Sequence, residues 1–99
     1  MKREIYKGRT KKGYVYYYMF AIDTIEIFGG CGICDDCGKF ANMGIYVPVL
    51  NHYMCVNCYK SFVKSCKYYS EDKWFEDLNI KYVDSKINKS EYLKLYDRS

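Results

Sequence analysis

The sequence predicts an α+β fold, a small sheet and helices gathered around a four-cysteine staple, and three observations carry that expectation. Two Cys-x-x-Cys pairs, Cys34-Asp35-Asp36-Cys37 and Cys55-Val56-Asn57-Cys58, are separated by seventeen residues. Ahead of them the chain is rich in tyrosine and β-branched residues at the period of a strand, and behind them the apolar residues recur at the period of a helix. At 99 residues the chain makes one domain, whose core is marginal unless something staples it. The expected layout is a β-hairpin and sheet extension over 1–30, a cysteine module over 31–69 and a helix-strand-helix closure over 70–99.

The first two elements read as a hairpin. Arg3–Lys7 and Tyr14–Ile22 are strands joined by Gly8-Arg9-Thr10-Lys11-Lys12-Gly13, whose terminal glycines suit a turn. Along the second strand Tyr14, Tyr16, Tyr18 and Phe20 share one face, and Val15, Tyr17, Met19 and Ala21 share the other. Both faces are apolar or aromatic, which predicts a central strand covered on each side. Thr24–Phe28 reads as a third strand, stopped by Gly29-Gly30.

The cysteine module carries the chemistry. Two such pairs can place four sulfurs tetrahedrally around one Zn²⁺, and Gly38 relieves the tight turn after Cys37. Disulfides would need an oxidising compartment. The segment MKREIYKGRTKKGY has charge but no apolar leader region, and the longest apolar run, Tyr14 to Ile22, is too short for a membrane helix. A reducing cytosol and a structural zinc follow as expectations. Cys31 repeats the spacing with Cys34, but Gly38 favours Cys34, Cys37, Cys55 and Cys58 as ligands, leaving Cys31 spare. Cys66 reads as a small buried hydrophobe and His52 as a turn residue.

Ile45–Leu50 is expected as a strand whose Pro48 suggests an edge or a bulge, and Asn51-His52 as its return turn. After Cys58, Tyr59, Phe62, Val63, Cys66 and Tyr69 form an apolar helical stripe beside a basic one of Lys60, Lys64 and Lys67. Knuckle, hairpin and a helix opened by the second pair make up a treble-clef arrangement. In the last third, Ser70-Glu71-Asp72 caps a short helix in which Trp74 is expected as a core anchor. Ile80–Val83 reads as a last strand and Ser90–Tyr96 as a closing helix.

The run His52-Tyr53-Met54-Cys55-Val56-Asn57-Cys58-Tyr59-Lys60, with its seventeen-residue spacer, resembles the metal-binding half of GATA-type zinc fingers. The Val47-Pro48-Val49-Leu50-Asn51 strand leading into the second pair also resembles small cysteine-rich phage and prophage proteins of unknown role. The likeness covers residues 34 to 66 and implies a zinc-stabilised treble clef, a fold that serves DNA, RNA and protein binding alike. The chain departs from the GATA pattern in having no basic, tryptophan-bearing segment between the pairs and no basic tail after the helix.

A closed four-thiolate site leaves no open position for catalysis, and nothing in the chain orients a nucleophile, so no enzyme is expected. Two binding readings remain. A tyrosine-rich, metal-braced surface with Tyr14, Tyr16 and Tyr18, and Asp35 and Asp36 nearby, suits a host protein or nucleoprotein, or a second copy of the chain. The concrete form is a phage-encoded, anti-CRISPR-like inhibitor in the host cytosol, not a membrane protein. The alternative is a GATA-like DNA or RNA regulator that uses the basic loop (Lys7, Arg9, Lys11, Lys12) and the Lys60, Lys64 and Lys67 stripe, in a chain of net charge +4.

Overall fold

The computed structural model describes residues 3–89 and 92–97, with side chains placed for 5–87. In order along the chain it contains β1 (Arg3–Arg9), β2 (Val15–Phe20), α1 (Ala21–Phe28), β3 (Met43–Val47), β4 (His52–Cys55), α2 (Val56–Ser65), a 3₁₀ turn (Ser70–Asp72), α3 (Lys73–Lys89) and β5 (Tyr92–Asp97). The fold is α+β. The strands form one sheet in the order β4-β3-β2-β1-β5, antiparallel from β1 to β4, with β5 parallel to β1.

β2 is central and covered on both faces, as its sequence predicts. Val15, Tyr17 and Met19 pack with Ile5, Tyr46 and Tyr53 beneath α1 and α3, which contribute Ile27, Val83 and Ile87. On the opposite face Tyr14 and Tyr16 join Ile45, Val47 and Met54 beneath α2, whose Val56, Tyr59 and Phe62 close that cluster. The sheet is therefore sandwiched, and two separate apolar clusters share its strands.

Several expectations need correction. Thr24–Phe28 is the second half of helix α1, not a strand, and the chain turns helical at Ala21 before the expected end of β2. The buried Asp23 carboxylate accepts the Phe20 N–H at 2.7 Å, and Gly29 takes the left-handed conformation (φ 69°) that ends the helix. Pro48 does not mark an edge strand. β3 is internal, and Pro48 opens the β3–β4 turn that ends at Asn51 (φ 56°). Tyr69 and Lys67 lie beyond α2, which stops at Ser65.

Ile80–Val83 belongs to α3, because Glu76, Ile80, Val83 and Ile87 recur at helical spacing as its inward stripe. Trp74 lies off that stripe and is 69% exposed, so it anchors no core. The place of the expected helix Ser90–Tyr96 is taken by β5, which satisfies the outer edge of β1; Ser90 and Glu91 lie outside the described residues. In the first turn of α3 the buried Glu76 carboxylate accepts the Val15 N–H (2.9 Å) and the Tyr68 hydroxyl (3.2 Å), tying the helix to the start of β2.

Candidate metal centre

Four sulfurs meet at one end of the sheet. Cys34 and Cys37 lie in the loop after α1, Cys55 ends β4 and serves as the N-cap of α2, and Cys58 sits in the first turn of that helix. One sulfur from each lies within 4.8 Å of the others. Cys37 and Cys55 are 3.8 Å apart, too far for a disulfide and equal to the edge of about 3.8 Å that four sulfurs at about 2.3 Å from Zn²⁺ would describe. The donor set and its spacing fit a tetrahedral thiophilic ion. Cys31 and His52 stand outside this group.

The local backbone explains the convergence. Gly38 adopts φ 75° and donates to the Cys34 carbonyl at 2.9 Å, closing the knuckle turn, while the Cys37 N–H points at the Cys34 sulfur from 3.5 Å. Asp35 fastens the knuckle to β4: its N–H donates to the Tyr53 carbonyl (2.8 Å) and its carboxylate accepts the Tyr53 N–H (2.7 Å). Asp36 faces the His52 ring across 3.4 Å. Both acids that the sequence marks for partner contact thus also brace the loop. Gly32 is equally constrained, since a Cβ there would lie 2.4 Å from that of Ala21.

The thiols respond unequally to this crowding. Burial opposes ionisation of Cys34, yet backbone N–H groups of Cys55, Cys37 and Asp36 lower its thiol to about 6. The neighbouring sulfurs of Cys55 and Cys34 push the Cys58 thiol up. One thiolate forms readily and discourages the next, a conflict that a bound dication removes.

The other residues marked by the sequence are dispersed. Tyr14 and Tyr16 are buried under α2, with the Tyr14 ring edge-on to Phe62 at 5.5 Å, while Tyr18 remains 37% exposed. In the basic loop, Lys7 pairs with Asp84 of α3 at 2.9 Å, and Arg9 donates to the Gly13 carbonyl. Lys12 reaches the Val63 (2.7 Å) and Cys66 (3.1 Å) carbonyls at the end of α2, neutralising the negative end of that helix. Lys11, Lys60, Lys64 and Lys67 stay exposed. Sequence reasoning missed Ile22 and Ile25, which helix α1 turns outward; the Asp23 and Gly29 capping signals would have revealed them.

Comparison of the chain with protein-family models, with curated proteins and with solved structures finds no match. No helix among the described residues is long and apolar enough to cross a membrane.

Proposed function

We propose that the protein is a non-catalytic, zinc-stabilised binding module of treble-clef type that docks on a protein partner, alone or within a nucleoprotein. The observation that supports this reading is the inverted helix α1. It turns Asp23 and Thr24 inward and leaves Ile22 and Ile25 outward, 51% and 52% exposed. Phe20, the last residue of β2 and the N-cap of α1, and its register partner Met43, the first residue of β3, are also exposed. Phe40 is brought to the same corner by Gly32, against which Ala21 packs. An apolar corner on a sheet held rigid by a metal is the kind of surface that a partner covers.

The closed thiolate site supplies rigidity and no chemistry, since four protein ligands leave zinc no open position. An anti-CRISPR-like inhibitor made by a phage or mobile element, working in the host cytosol, is the specific form of this reading that the sequence resemblance suggests. Native mass spectrometry of the protein purified from its host tests it. The expected species is the chain with a single Zn²⁺ and a bound protein, lost in an Ile22→Ser/Ile25→Ser variant that keeps its metal and melting temperature. A partner retained by that variant, or a metal-free folded chain, would overturn the reading; a homodimer lost in the variant would name a second copy as the partner.

A further inference from the structure

We propose that the groove between helix α2 and the Tyr18 side of the sheet binds single-stranded nucleic acid. Two adjoining cavities of about 430 and 440 Å³ share Tyr18, Tyr59 and Val63 as common walls. The first runs back over Tyr14 and Tyr16 to Lys11 and Lys12, and the second runs forward to Lys60 and Lys64. Among the described residues neither cavity is lined by an aspartate or a glutamate. The result is a track whose accessible aromatic surface is Tyr18 and the half-buried Tyr59, laid over the buried Tyr14 and Tyr16, with lysines at both ends.

Chain architecture creates this track, and the sequence alone does not show it. The Lys12 hydrogen bonds to the end of α2 draw the hairpin loop against the helix, which sets Lys11 and the Lys60/Lys64 pair along one groove. Lys7 is removed from it, paired with Asp84 beneath α3 on the opposite face of the sheet. Tyr6, half-exposed and in register with Tyr18 on the neighbouring strand, extends the aromatic floor beyond the groove. Flat rings between cations suit an occupant that has π faces and regularly spaced negative charge. A duplex hides its base faces, whereas an unpaired strand presents them. The thiolate end of α2 is negative and repels phosphate, and the second cavity reaches Val56 at that end, so the phosphates would sit at Lys60, Lys64 and Lys11 and not beside the cysteines.

This surface is distinct from the apolar corner at α1, and the two can fail separately. The test titrates zinc-loaded, full-length protein into fluorescein-labelled oligothymidylate about 12 nucleotides long, within the usual site-size range, and into a duplex of equal length. Anisotropy is followed over a salt series. The single strand is expected to bind more tightly, with log K falling against log salt at a slope of about −2 for the three lysines Lys11, Lys60 and Lys64. Tyr18→Ala should weaken binding about fivefold or more with the slope unchanged, while Tyr18→Phe retains affinity. Lys64→Gln, a surface change that leaves the fold intact, should reduce the slope by about 0.7, and Ile22→Ser should change neither. Equal or better duplex binding, no binding at low salt, or a Lys64→Gln protein with an unaltered slope would each overturn the proposal.

Discussion

At the residue scale the four clustered cysteines dominate, because in a four-sulfur metal site the loss of one donor cannot be shared out. Apparent binding free energies of about 10–16 kcal/mol for structural zinc equal or exceed the 5–15 kcal/mol stability of a typical domain. Cys37→Ser or Cys58→Ser should therefore abolish cooperative folding, whereas Cys31→Ser, outside the cluster, should keep both metal and melting temperature. Near-UV circular dichroism and metal content separate these outcomes. The four-cysteine cluster was legible from spacing alone, because two Cys-x-x-Cys pairs with a seventeen-residue spacer suit a tetrahedral four-sulfur site. The partners of Lys7 and Lys12 were not legible, since Asp84 and the end of α2 lie far away along the chain.

Tyrosine protonation provides a second test at the same scale. Burial raises the hydroxyls of Tyr14 and Tyr46 and pushes Tyr53 up to about 12 from an ordinary value of 10.0. Above pH 10 the unfolded chain sheds these protons while the folded chain keeps them, so stability falls as pH rises. The contribution is intact below the unfolded value and for Tyr53 is lost between about pH 10 and 12. Exposed tyrosines such as Tyr69 can ionise in the folded protein, so alkaline titration should show the last part of the tyrosinate absorbance appearing only together with the loss of circular dichroism; complete tyrosinate formation in a still-folded protein would contradict it.

At the element scale, α1 and α3 show why local pattern misleads. Thr24–Phe28 is rich in β-branched and aromatic residues, but the helix is decided at its ends by Asp23 and Gly29. Asp23→Ala removes the acceptor of the Phe20 N–H and should cost about 1–2 kcal/mol, while Asp23→Asn, which keeps an acceptor, should cost less. Thermal or denaturant midpoints check the difference. In α3 the signal at Glu76, Ile80, Val83 and Ile87 was helical, but a buried carboxylate at its head broke the apolar stripe and hid it. Ser90–Tyr96 reads as a helix from its local pattern because the strand character of Tyr92–Asp97 comes from β1, whose open edge no short-range pattern announces.

At the scale of the whole molecule, the four-cysteine cluster is where the two cores meet. Cys34 is part of the cluster beneath α2, and Cys55 packs against that cluster and also against the one beneath α1 and α3. Cys55 lies in register with Gly44 of β3, where a Cβ would come within 2.6 Å of the Met54 carbonyl, so β3 and β4 have little freedom to shift if the site opens. Thiolates left without a cation would repel one another at the strand that serves both faces. Chelation should therefore not merely release α2. Addition of a strong zinc chelator should expose the α3 amides around Val83 and those of α2 to hydrogen exchange in one concerted step, even though α3 supplies no ligand. If the α3 amides stayed protected while α2 exchanged freely, the sheet and its α1/α3 layer would be an independent folding unit, and zinc would brace only the helix that forms one wall of the Tyr18 groove.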